Sequence, residues 1–169
     1  MIPRRRKGLL LALLQGGLLL SLGGQLLLDR ATRPRGWILT QPVDPHLPIR
    51  GRYVNLDLLL PAPEGTDGQA VPWSGERVVL RSEAALVRAT LAAGGTPRAR
   101  TLQATPQGEF WRLGPSVAFF IPPQVADPSR RPPGEQLWVE VTLPAEGPPR
   151  PIRLGLKRGE GPITPLELR

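Results

Sequence analysis

The sequence predicts a mainly β protein: one membrane-spanning helix at the N-terminus, followed by a small antiparallel β-barrel or sandwich-like domain. Three observations predict it. Residues 8–28 carry no charge, and twelve of the 21 are leucine. Beyond them, apolar residues recur at every second position in several short runs. These runs are separated by turns rich in the 22 prolines and 19 glycines of the 169-residue chain. The resulting division is a basic tail (1–7), a signal-anchor span (8–28), a juxtamembrane linker (29–36) and a β domain (37–169).

The span comes first. GLLLALLQGGLLLSLGGQLLL follows the basic run Arg4, Arg5, Arg6, Lys7. At 1.5 Å per residue it reaches about 31 Å, the thickness of a bilayer core. Its five glycines would weaken a soluble helix but are well tolerated in membrane helices. A cleaved leader is the alternative, because Ser21-Leu22-Gly23 has the small-x-small spacing of a cleavage site. Three further leucines follow that site, and an uncleaved anchor is expected. Four basic residues precede the span, while Arg30, Arg33 and Arg35 follow it. With so short a charged tail, the expected orientation is N-terminus in the cytoplasm and the β domain outside. Gly17, Ser21 and Gly24 fall at i, i+4 and i+7 and share one helix face, where a second membrane helix can approach closely. Gln15 and Gln25 add hydrogen-bonding capacity within the bilayer.

The strands follow. QLWVEVTL (136–143) places Leu137, Val139, Val141 and Leu143 on one face, with Trp138, Glu140 and Thr142 on the other. RPIRLGLK (150–157) places Ile152, Leu154 and Leu156 together, and the two runs are predicted to pair antiparallel across AEGPP. RYVNLDLLL (52–60) directs Val54, Leu56, Leu58 and Leu60 one way and Tyr53, Asn55 and Asp57 the other. WILT, ERVVL, EFWRL and SVAFFI read as further strands. Residues 82–95 fit either a helix capped by Ser82 or a hairpin turning near Glu83, and the neighbouring strands favour the hairpin. Residues 61–75 and 122–135 read as long, proline-rich loops.

Three prolines within seven residues (Pro42, Pro45, Pro48) precede the strand that holds Tyr53. Proline fixes its own φ and holds the preceding residue extended, so 42–51 reads as a stiff connector. Asp44 is placed for an Asx-turn, and Gly51 permits a sharp change of direction into the strand.

This stretch, TQPVDPHLPIRGRYVNLDL, resembles the signature of the bacterial GDYXXLXY family. Gly51, Tyr53 and Leu56 match, with Arg52 at the position of the aspartate and Leu58 at that of the last tyrosine. The lead-in Pro42-Val43-Asp44-Pro45 matches as well. FFIPP (119–123) is similar to the family's aromatic-Phe-Val-Pro-Glu stretch, with Pro123 in place of the acid. The resemblance spans roughly residues 1–160. It implies a protein anchored in the bacterial cytoplasmic membrane and a multi-span membrane protein as partner, and it implies no reaction.

The chain offers little for catalysis. It has no cysteine and one histidine, His46, so thiol chemistry is excluded and zinc or triad chemistry is disfavoured. No serine lies between Leu22 and Trp73, and Lys157 is the one lysine beyond the span, which disfavours a Ser–Lys protease. GTDG and AAGG lack the Lys-Ser/Thr of a phosphate loop. Asp44 and Asp57 are the carboxylate pair to inspect. The net charge of +8 divides into the basic tail and a remainder of 18 basic and 14 acidic residues with scattered arginines, which does not describe a nucleic-acid interface. The expectation is a non-enzymatic binding or assembly module with no metal or cofactor, whose partners are the bilayer and a multi-span protein. The alternative is a hydrolase using carboxylates or Tyr53 in a cleft. Trp37 lies close enough to the span for the membrane interface, and core packing accounts for it equally well.

Overall fold

The computed structural model describes residues 4–43, 52–64, 66 and 75–168. The connector residues Asp44, Pro45, His46 and Gly51, and also Trp73, lie outside this set.

The chain divides into two units, residues 1–33 and 34–169. The first is α1 (Arg4–Thr32), a helix of 29 residues. It outruns the predicted span at both ends. It stops where Pro34 removes a backbone donor and bars Arg33 from helical geometry, and Thr32 Oγ1 donates to Leu28 O at 2.8 Å in the last turn. The segment expected as a linker (29–36) is therefore the end of a helix and the start of a strand. The window Leu11–Leu28 is long and apolar enough to cross a membrane, and none of it is buried.

In the second unit, ten strands among the described residues form one sheet system. They are β1 (Arg35–Val43), β2 (Tyr53–Leu60), β3 (Glu76–Glu83), β4 (Leu86–Leu91), β5 (Leu102–Gln107), β6 (Phe110–Leu113), β7 (Val117–Phe120), β8 (Glu135–Thr142), β9 (Arg150–Arg158) and β10 (Thr164–Pro165). Six of them close into a barrel in the order β1-β4-β3-β5-β6-β2, because β1 also pairs with β2. The extra strands are β8, β9 and β10, which follow β1 outward, and β7, which extends β2.

Pattern and burial agree along most strands. Val54, Leu56, Leu58 and Leu60 of β2 lie in the core with Ile38, Val78, Leu113, Val139, Val141 and Leu154. Strands β8 and β9 pair antiparallel, with Leu137 opposite Leu156 and Val139 opposite Leu154. Strands β3 and β4 form the hairpin expected near Glu83. Its two-residue turn places Ala84 at φ 47° and Ala85 at φ 64°. Two left-handed residues in succession match the right-handed twist of a hairpin, though alanine is a costly choice for them.

The closure of the barrel departs from the antiparallel expectation. Strand β1 meets β4 in parallel, with Trp37 opposite Leu86. The Trp37 N–H donates to Ala85 O at 2.8 Å. Gly36 makes this contact possible: a Cβ there would lie 2.7 Å from Val87 Cγ2, 3.1 Å from the Leu86 carbonyl carbon and 3.2 Å from Val87 N. Strand β5 falls in a stretch to which the sequence reading assigns no element, and it holds Pro106, which normally demotes a strand. Paired with β6 from Ala104 opposite Leu113 to Gln107 opposite Phe110, it is held by its neighbours rather than by its own pattern.

Glu140 and Thr142 of β8, on the face opposite the leucines and valines, are themselves buried, 9% and 4% exposed. Trp37 on β1 and Arg153 on β9 flank Glu140 in register, and Arg153 Nε donates to Glu140 Oε2 at 2.5 Å.

Candidate binding cleft

One cleft gathers part of the family-like motif. It is a cavity of ≈ 310 Å³ lined by Pro42, Val43, Tyr53, Val54, Asn55, Asp127, Ser129 and Arg130. Two walls follow from strand register. Val43 of β1 sits opposite Asn55 of β2, and Pro42 opposite Leu56. Tyr53 and Asn55 share a face of β2 because side chains alternate along a strand. Tyr53 also sits opposite Phe120 of β7, with ring centroids 6.1 Å apart and planes tilted by 49°. Phe120 is 64% exposed, a large apolar side chain left at the surface beside the cleft.

The third wall is the loop between β7 and β8. Val125 and Pro128 are buried and fix it to the body of the domain. Between them, the Asp127 carboxylate accepts hydrogen bonds at Oδ1 from the Ser129 backbone N–H at 2.9 Å and the Ser129 hydroxyl at 2.7 Å. Arg130 Nε lies 3.9 Å from the other carboxylate oxygen. The Arg52 guanidinium donates to Pro123 O, tying the start of β2 to the same loop. Partial burial pushes the Asp127 pKa up. The two Ser129 hydrogen bonds and the nearby Arg130 and Arg52 charges outweigh it and hold the carboxyl below its ordinary value. At neutral pH Asp127 is thus an anion, an acceptor of hydrogen bonds and not an acid.

The predicted site residues separate into groups. Pro42 and Tyr53 line the cleft. Leu56, 0% exposed, belongs to the core. Asp44, Pro45 and Gly51 fall outside the described residues, and with Asp44 so does the carboxylate pair Asp44 and Asp57. Asp57, on the same face of β2 as Tyr53 and Asn55, is buried, 8% exposed, with Oδ2 3.4 Å from Arg112 Nη1. Gly17, Ser21 and Gly24 lie on α1, and a Cβ added at either glycine would meet nothing within 4 Å. Sequence reasoning missed Asp127, Ser129 and Arg130. The signal was present, since Asp-Pro-Ser is an Asx-turn sequence, but it stood in a stretch read only as loop.

The arrangement suits recognition. A phenol, an amide, an anion and a guanidinium rim a concave surface, and among the described residues no group of three or more His, Cys, Asp or Glu is placed to hold a metal ion. Set against protein-family models, curated proteins and solved structures, the chain matches none of them.

Proposed function

We propose that this protein is a single-pass protein of the bacterial cytoplasmic membrane. Its β-barrel stands outside the cytoplasm and serves as a binding or assembly module for a multi-span membrane protein, as the GDYXXLXY resemblance implies. The observation that carries the reading is α1. Its leucines are bare, with Leu18, Leu19 and Leu20 exposed by 64%, 72% and 79%. A continuous apolar surface of this length belongs in lipid. Gly17, Ser21 and Gly24 offer the face for a partner helix, and the cleft at Tyr53 and Arg130 offers the contact outside the bilayer. Nucleic acid has no part in this reading.

Crosslinking in native membranes followed by affinity capture tests it. The expected result is a multi-span protein that co-purifies with the wild type, less with Tyr53→Ala plus Arg130→Glu, and less with Gly17→Leu plus Gly24→Leu. Recovery of the protein in the soluble fraction, with a new N-terminus near residue 24, would refute the anchor and the assembly role together.

One observation keeps a second reading open: Tyr53 and an ionised Asp127 line the same cleft. A hydrolase would use the carboxylate as base and the phenol as donor. Screening ester, peptide and glycoside substrates tests this, and any turnover must fall in both Tyr53→Phe and Asp127→Asn.

A further inference from the structure

A second surface, unrelated to the cleft, is laid out on the outer face of β1, β8 and β9. Register puts its residues in rows across the three strands: Arg35, Thr142 and Arg150; Trp37, Glu140 and Arg153; Leu39, Trp138 and Gly155. A further row pairs Gln136 with Lys157. Along these rows stand four cations, two tryptophans and one carboxylate. The carboxylate, Glu140, already accepts a hydrogen bond from Arg153.

The cations and indoles are interleaved. The Arg153 guanidinium lies 5.6 Å from the centroid of the Trp37 ring, and the Lys157 ammonium lies 5.9 Å from that of Trp138. Trp37 reaches across to Gly155, where a Cβ would lie 2.6 Å from its Cζ3. The indole can come this close because position 155 carries no side chain. Both tryptophans are half-buried, and Arg153 keeps 52% of its side chain exposed. An indole with one wet edge beside a cation is the pairing that settles at a lipid headgroup layer.

The chain itself keeps the first residue of this face, Arg35, on a short tether to α1. Two residues, Arg33 and Pro34, separate the end of α1 from the first residue of β1. Three Cα steps span at most about 11 Å. The inference rests on the reading that α1 crosses a membrane.

The geometry points to the β1–β8–β9 face as a docking surface for an anionic phospholipid headgroup layer, with Trp37 and Trp138 at the interface and Arg35, Arg150, Arg153 and Lys157 facing the lipid phosphates. Charge complementarity selects this occupant: a net positive face with aromatic edges meets a negative, partly apolar boundary. Near an anionic leaflet each such cation favours the docked state by about fivefold. The barrel then lies on the membrane on one fixed side instead of tumbling on its tether.

The test uses the full chain reconstituted into vesicles of phosphatidylcholine alone or with phosphatidylglycerol, both carrying a headgroup-nitroxide lipid that quenches tryptophan. Stronger quenching is expected in the anionic vesicles. It should fall by roughly half or more when salt is raised from about 0.05 to 0.5 M, where surface charges are screened. Replacing Trp37 and Trp138 with Phe should remove the salt-sensitive component, leaving Trp73 and Trp111 as background. Arg153→Glu with Lys157→Glu should lower the docked-to-undocked ratio by about 25-fold or more. The salt titration reads the same effect on the unaltered protein if that variant misfolds. Equal, salt-insensitive quenching in both vesicles overturns the proposal and leaves the face to a protein partner. Co-flotation with vesicles in high salt reads the anchor separately: flotation without salt-sensitive quenching removes the docking alone, and loss of flotation removes both.

Discussion

Gly36→Ala probes the contact that closes the barrel. The new Cβ would sit 2.7 Å from Val87 Cγ2, and 3.1 and 3.2 Å from the Leu86 carbonyl carbon and Val87 N. Carbon atoms in contact prefer about 3.5–4.0 Å, so the methyl is roughly 1 Å too close to the valine. Val87 is 3% exposed and has little free space into which to turn. The other two atoms are β4 backbone, which gives way only if the β1–β4 contact opens. That contact carries the bond from Trp37 N–H to Ala85 O. Overpacking of this kind costs about 1–3 kcal/mol. Loss of glycine's freedom in the unfolded chain returns about 0.4–1 kcal/mol. The net expectation is a destabilisation of about 1–2 kcal/mol, or about 3–10 °C in Tm for a domain of this size. Thermal and urea melts of the full chain in detergent, followed by tryptophan fluorescence, measure it, with Trp37 reporting from the next position. Gly94→Ala is the control: its Cβ would meet nothing within 4 Å, and it should be neutral or slightly stabilising. If Gly36→Ala matched that control within about 0.5 kcal/mol, close backbone approach would not be what closes the barrel.

Three further outcomes are expected. Ala84→Asn with Ala85→Gly supplies residues suited to the left-handed turn at φ 47° and 64° and should raise stability by about 1 kcal/mol, seen as a higher urea midpoint at unchanged slope. Leu56→Ala removes a fully buried side chain of β2 and should cost about 2–5 kcal/mol in the same melts, far more than Phe120→Ala at the exposed ring. Asp127, whose pKa is lowered in the folded state, stabilises the folded chain above the unfolded carboxyl value near 3.9, and that contribution disappears as pH falls through the folded value. Asp127→Asn should therefore lie slightly below wild type in stability at pH 7 and converge with it under strong acid, and a constant gap at all pH values would contradict this assignment.

The resemblance to the GDYXXLXY family and the position of Tyr53 bear on one another. Tyr53 matches the signature in sequence, and in space it lines a cleft beside Pro42, which matches the lead-in. Leu56 matches too, but it is a core residue. A short motif can thus mix a residue needed for packing with residues that face a site, and spacing does not separate them. Variants at Tyr53 test the proposed recognition, whereas variants at Leu56 test folding.

What the amino-acid order determined alone is what depends on near neighbours. An uncharged leucine run makes a helix wherever its backbone bonds must be satisfied internally, and Pro34 ends it. Two-residue alternation marks β2, β8 and β9, whereas residues 82–95 fit helix or hairpin and only their strand neighbours favour the turn near Glu83. Tertiary structure decided the rest. Strand β5, with Pro106 and two glutamines, is a strand because β3 and β6 flank it. The parallel closure of β1 on β4 depends on Gly36 meeting Val87, two positions far apart in the chain. Asp57 and Glu140 carry charged side chains yet are buried, Asp57 with Arg112 beside it and Glu140 between Trp37 and Arg153 of the neighbouring strands. The cleft likewise joins the ends of β1 and β2 to the Asp127 turn, some seventy positions later. Periodicity records which way a residue points relative to its own strand, and only the folded sheet says what comes to lie against it.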